Sequence, residues 1–174
     1  SPLSPSDLVY GLTSVSSPTL SPDGARLAFI HSTTSAGDHK TTSQVMVKDT
    51  ASGDTVRFTA GPDDSLPRWS PDGGSIAFLR KDGDEYSQVW VIPANGGEAR
   101  QVTSRIRSVV DYAWSPDSSS FVLSADVPDP SEPGPGSPDF NKDIPHSRSV
   151  HRIRYQYDSV GWRGEMYRHL LIVD

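Results

Sequence analysis

Short apolar runs separated by polar turns dominate the chain, and three of these runs repeat one frame. Leu27-Ala28-Phe29-Ile30, Ile76-Ala77-Phe78-Leu79 and Phe121-Val122-Leu123 are continuous apolar runs, the pattern of strands covered on both faces. Each follows a tight turn: Ser21-Pro22-Asp23-Gly24, Ser70-Pro71-Asp72-Gly73 and Ser115-Pro116-Asp117-Ser118. In such a turn Pro pre-sets φ, Asp bonds neighbouring backbone N–H groups, and Gly accepts positive φ. Ser118 stands where the other copies carry Gly. A non-Gly residue at positive φ costs about 1 kcal/mol, so a looser turn, or one of another type, is predicted there. The prolines are 49 and 45 residues apart (Pro22 to Pro71, Pro71 to Pro116), which makes the frame an internal repeat.

The intervening residues complete each unit. In the first, Val15 to Leu20 is a predicted strand, His31 to Thr42 a polar loop, Gln44 to Asp49 a third strand and Thr55 to Thr59 a half-exposed fourth. In the second, Lys81 to Glu85 is a charged loop and Gln88 to Ile92 the third strand. Asn95-Gly96-Gly97 is a hairpin turn, and Glu98 to Thr103 alternates as an edge strand. Ahead of the repeats, Ser4 to Gly11 reads as a short helix or arm, with Ser4 as cap and Pro5 at the first position.

Four antiparallel strands in about 40–50 residues make a propeller blade, which must stack on neighbours around a ring. The predicted class is therefore all-β: a partial β-propeller of about three four-stranded blades, the third incomplete. The arm is placed at 1–14, blade one at 15–60, blade two at 61–104 and blade three at 105–174. The third unit departs from the frame. Its third strand is best matched by His169 to Val173; Gln44 to Gln88 is 44 residues, but Gln88 to His169 is 81. An insertion at about 126–166 is therefore predicted between its second and third strands. It begins with a Pro-rich stretch and continues into alternating basic and aromatic residues. A fourth strand and later blades are expected in a larger protein or in associated fragments.

Composition narrows the function classes. Sixteen Lys and Arg against 22 Asp and Glu give a net charge of -6, which disfavours a nucleic-acid surface. There is no Cys, so disulfides and thiolate metal sites are excluded. No apolar run reaches membrane-spanning length, and the N-terminus lacks a basic-then-apolar leader, so a cytoplasmic home is expected. No cofactor is expected. Gly73-Gly74-Ser75-Ile76-Ala77 is not a nucleophile elbow, because no helix follows its Ser. Asp143, His146 and His151 read as solvated loop residues rather than metal ligands. Gly134-Pro135-Gly136 lacks the strand-to-helix frame of a phosphate loop, and Lys81 to Glu85 lacks the spacing of a calcium loop. Asp23, Asp72 and Asp117 recur at a fixed turn position, which points to backbone hydrogen bonding rather than catalysis. That leaves Arg152, Arg154, Tyr155, Trp162 and Arg163, with Tyr157, Tyr167 and Arg168, as the candidate recognition surface for a peptide or an acidic group. An ordinary strand pair with solvated Arg is the competing reading.

The repeated Trp-Ser-Pro-Asp-Gly…Ile-Ala-Phe, followed by Gln-Val-Trp-Val-Ile, resembles the propeller repeats of the prolyl oligopeptidase family of serine peptidases. It also resembles the Tol-system periplasmic propeller. The opening Ser4-Pro5-Ser6-Asp7-Leu8 through Val15 to Gly24 is similar to the start of the acylaminoacyl-peptidase branch. Arg152-Ile153-Arg154-Tyr155…Asp158-Ser159-Val160-Gly161-Trp162…His169 to Asp174 is similar to that branch's extended blade-three connection. The resemblance implies a parent enzyme whose Ser-Asp-His triad lies in a C-terminal α/β-hydrolase domain, with no catalytic residue in this chain. The propeller would screen peptide substrates by size, and the insertion, opposite the Ser-Pro-Asp turns, would face the cleft. The implied partners are the rest of the propeller, the hydrolase domain and a short or N-acylated peptide, without nucleic acid or membrane; a homo-oligomer stays open. The alternative is a non-enzymatic, protein-binding propeller of the Tol type.

Overall fold

The computed structural model describes residues 9–82, 86–104, 108–128, 156–157, 161–162 and 166–174. Three antiparallel sheets carry the fold, each a propeller blade. Blade one is built from β1 (Thr13–Leu20), β2 (Arg26–Thr34), β3 (Thr41–Asp49) and β4 (Thr55–Arg57), in that spatial order. Blade two repeats it with β5 (Ser65–Trp69), β6 (Ser75–Asp82), β7 (Tyr86–Pro93) and β8 (Arg100–Gln101). Blade three has β9 (Val109–Trp114), β10 (Phe121–Pro128) and β13 (Met166–Val173), in the order β13-β10-β9. Between the last two, β11 (Gln156–Tyr157) pairs with β12 (Gly161–Trp162) as a separate small hairpin. Of the predicted N-terminal helix, Val9 and Tyr10 are helical and Gly11 is a bend; the rest lies outside the described residues.

The core sits between blades rather than within them. Ala28, Ile30, Val45 and Val47 of blade one meet Trp69, Ile76, Phe78 and Ile92 of blade two. On the other side, Ala77, Leu79, Val89 and Val91 meet Val109, Tyr112, Phe121 and Leu123 of blade three. Alternate residues of β6 thus serve two different neighbours, which is why the run Ile76 to Leu79 shows no polar alternation. Blade one's sister run has only one covered face: Ala28 and Ile30 are buried, Leu27 and Phe29 half-buried. Blade three shows the same on its far side, where Leu170 and Ile172 are 77% and 74% exposed.

Three sequence expectations are corrected. The loop read from His31 to Thr42 is strand at both ends, because β2 and β3 stay in register out to Thr33↔Thr42 and Thr34↔Thr41. Facing threonine hydroxyls hold each of these pairs, at 3.2 and 3.0 Å, the cross-strand contact a sheet rewards. The outer strand read from Glu98 to Thr103 reduces to Arg100–Gln101, since Gly96 and Gly97 at φ 90 and 128 keep the chain in turn geometry beyond the hairpin. Likewise the turn at Ser118 is neither loose nor of another type. Its φ of 62 matches the 72 and 73 of Gly24 and Gly73, and its N–H bonds Ser115 O at 3.0 Å as theirs bond Ser21 O and Ser70 O. The Ser118 hydroxyl accepts the backbone N–H of Asp72 at 3.1 Å. A bond to the neighbouring blade therefore offsets the strain that glycine would avoid.

Candidate functional site

The antiparallel order puts the two kinds of connection on opposite faces of the ring. The Ser-Pro-Asp turns join first to second strands on one face. The second and third strands are joined on the other, where β10 ends at Pro128 and β13 begins at Met166.

On the turn face the recurrent aspartates are structural, as their position implied. Each accepts its Ser hydroxyl at 2.5 Å: Ser21 on Asp23, Ser70 on Asp72, Ser115 on Asp117. Each also accepts a backbone N–H two residues on. The serine oxygen in turn accepts the N–H five residues later, at 2.9 Å in all three copies. These bonds, the serine hydroxyl first, hold the Asp23 and Asp72 carboxyls below their ordinary value. Hydroxyls from both Ser115 and Ser119 bring Asp117 to about 2. A carboxylate with a depressed folded pKa contributes stability that is complete above its unfolded value and lost as pH falls through its folded value. The Asp117 contribution should therefore be constant above about pH 5 and vanish between about pH 4 and pH 2. Urea midpoints measured from pH 6 down to pH 2 should show this fall, and Asp117→Asn should lessen it, leaving the share of Asp23 and Asp72. An unchanged acid slope in the Asn variant would refute the assignment.

The opposite face holds a buried polar group. The linker from blade one to blade two is laid along β3, where Ser43 N–H bonds Pro62 O at 2.7 Å and Asp64 N–H bonds Ser43 O at 3.0 Å. Asp64, fully buried, receives Arg80 in two parallel bonds, Nε to Oδ1 at 2.7 Å and Nη2 to Oδ2 at 3.1 Å. The Thr59 hydroxyl donates to the same carboxylate and accepts Val45 N–H at 3.0 Å. The Arg80 guanidinium also lies over the rings of Phe78 and Trp90, at 4.9 and 5.2 Å. A Cβ on Gly61 would overlap that guanidinium, so glycine there lets it keep this position. The next interface repeats the threonine with a neutral partner. Thr103 accepts Val89 N–H at 2.9 Å and donates to Gln88 Oε1 at 2.8 Å. An ion pair of Lys81 with Asp63 at 3.5 Å completes the charged rim beside Arg80.

The candidate recognition cluster is placed only in part. Arg152, Arg154, Tyr155 and Arg163 lie outside the described residues, as do Asp143, His146 and His151. Trp162 lies on β12 with its backbone opposite Gln156. Arg168 belongs to the root of the long connection: Nε and Nη2 reach the Asp126 carboxylate at 3.2 and 3.3 Å, across the register pair Asp126↔Arg168. β10 and β13 pair out to Pro128↔Met166, whereas β9 stops opposite Ala125. The connection is thus carried on a two-stranded ribbon that overshoots the innermost strand. Among the described residues no group of His, Asp and Glu could hold a metal ion. No helix among them is long and apolar enough to cross a membrane.

Comparison with known proteins agrees with this architecture. Residues 21–109 match the dipeptidyl peptidase IV (DPP IV) N-terminal region. The chain is 30% identical over 171 residues to the uncharacterized peptidase YuxL of Bacillus subtilis, covering 96% of this chain and 25% of that protein. It is also 30% identical over 125 residues to dipeptidyl-peptidase 5 of Porphyromonas endodontalis, covering 71% of this chain and 18% of the other. Among solved structures, acylaminoacyl peptidase of Pyrococcus horikoshii superposes with a TM-score of 0.75 at 18% identity, over 95% of this chain and 24% of that one. The β-propeller domain of the Trilobed protease from Pyrococcus furiosus superposes with a TM-score of 0.52 at 20% identity, over 64% and 33%. The chain spans about a quarter or less of the curated relatives it matches. With its blades and its repeat matched together, the chain belongs to the family of the dipeptidyl peptidase IV N-terminal region, a β-propeller.

Proposed function

We propose that this chain is the substrate-gating propeller portion of a serine peptidase that hydrolyses short or N-acylated peptides. Its Ser-Asp-His triad would lie in an α/β-hydrolase domain outside the chain. One observation carries the reading: a four-stranded propeller repeat spans about a quarter or less of relatives that are themselves named peptidases. That also favours an enzyme over a protein-binding propeller of the Tol type. The ring contributes walls, with its rigid turn face on one side and the long blade-three connection on the other. Arg152, Arg154, Tyr155, Trp162 and Arg163 remain the proposed contacts to peptide on that second side. In the full-length protein, a fluorophosphonate should label one serine outside residues 1–174 and abolish hydrolysis of short acyl-peptide anilides. Folded proteins should resist cleavage under the same conditions. Absence of both labelling and hydrolysis would overturn the proposal.

A further inference from the structure

Among the described residues the first strands β1, β5 and β9 each have one unpaired sheet edge, the edge that lines the lumen in a propeller. They are first in their sheets, and β1 lies against β5 where the blades converge. A row of free N–H and C=O groups on such an edge is a template for an added peptide strand. All three edges are broken, β1 and β5 at the equivalent place and β9 nearby, between the partners of Ser124 and Ala125. In β1, Ser17 and Pro18 together oppose the single residue Phe29. In β5, Leu66 and Pro67 together oppose Phe78. In β9, Val110 is the extra residue between Val109 and Asp111. Ser17 and Leu66 take φ values of 51 and 47, unusual for non-glycine residues and costly enough to need a compensating role. Pro18 and Pro67 remove an N–H at the break itself.

Carbonyls freed beside the breaks are already used. Trp69 Nε1 donates to Thr19 O and Trp114 Nε1 to Arg68 O, both at 3.2 Å. The buried Tyr112 hydroxyl donates to Leu66 O at 2.6 Å. In each case the donor belongs to the next blade. Where β9 lacks a proline, its own side chain intervenes: Asp111 Oδ1 accepts Tyr112 N–H at 2.8 Å and pairs with Arg68 Nη2 at 2.8 Å. Bulge, proline and inward charge are among the means by which natural edges avoid strand addition.

We propose that the lumen wall is built to refuse a peptide strand, so that a peptide entering the ring is not captured by β-augmentation. This rests on the gating role above and gives it a mechanism: passage without backbone docking. The test uses the full-length protein and the probe peptide acetyl-Thr-Val-Thr-Val-Thr-Val-amide, read by site-resolved hydrogen exchange. In the parent, excess probe should leave exchange in residues 13–20, 65–69 and 109–114 unchanged. Removing the break in β5 by deleting Leu66 and replacing Pro67→Val should slow exchange in 65–69 at least threefold when probe is added. Pro18→Val alone, which keeps the bulge, serves as the milder second variant and should show smaller protection in β1. Probe-dependent protection of the parent's inner strands would overturn the proposal, as would a folded β5 variant that gains none. If instead the protein fails to hydrolyse peptides but shows the predicted exchange pattern, the peptidase reading falls and the protected edge stands.

Discussion

Replacing Asp64 by alanine is expected to destabilise the chain by about 3–5 kcal/mol, because it strands a buried cation. Arg80 is 17% exposed and its carboxylate partner is wholly buried, so water replaces little of what is removed. The Thr59 hydroxyl loses its acceptor in the same change. Arg80→Ala should cost a similar amount by leaving Asp64 unpaired. The double variant should cost well below the sum, since removing both partners leaves no bare charge. Gly61→Ala belongs to the same unit: its methyl group displaces the guanidinium, and the Asp64 bonds must lengthen in response. Urea unfolding of the four variants closes the test. Additive losses, or a loss under about 1 kcal/mol for Asp64→Ala, would mean that the pair does not act as a buried unit. The group ties Thr59–Asp64 of the interblade linker to β3 on one side and β6 on the other, and so sets how blade two meets blade one.

Nothing in the local sequence marks that group. Gly61-Pro62-Asp63-Asp64 has the composition of a turn, and Arg80 directly precedes the charged loop read from Lys81 to Glu85. One trace was present: Phe58-Thr59 and Val102-Thr103 recur 44 residues apart, and in both copies the threonine accepts the N–H of a third-strand valine. What differs between copies is the second partner, Asp64 in one and Gln88 in the other, and a repeat reports only what its copies share. The blades themselves were legible for the opposite reason. Proline, aspartate and an apolar run at fixed offsets each have one strong local meaning, and three copies agree. Ser118 shows the limit of that logic. Judged on its own propensity it breaks the turn, but a bond from the neighbouring blade, invisible to local rules, keeps the turn intact. The luminal bulges were hidden for a related cause. Ser17-Pro18 reads as plain strand within Val15 to Leu20, and Leu66-Pro67 carries no signal of its own, until a pairing register shows two residues facing one.

Phe78→Ala should cost about 3–5 kcal/mol, the range for deleting a fully buried aromatic ring. Its side chain has no exposure and lies among Ile30, Val45, Val47 and Ile92, on the face of β6 turned to blade one. The loss should be local in a way that an ordinary single core would not allow. Because successive residues of β6 serve different interfaces, the cavity left by Phe78 weakens the contact with β2 and β3 and spares that with β10. Leu123→Ala, also without exposure but in the second cluster, should cost about 2–5 kcal/mol and do the reverse. Hydrogen exchange separates the two: Phe78→Ala should speed exchange in residues 26–34 and 41–49, and Leu123→Ala in 121–128 and 166–173. Equal acceleration everywhere in both variants would mean that the three blades unfold as one cooperative unit. Blade-selective exchange means instead that stability is held interface by interface, as expected of a stack whose neighbours touch only each other. In that case a change at one interface can loosen a single blade without melting the ring, which a gate needs if the wall is to yield at one place and hold at the rest.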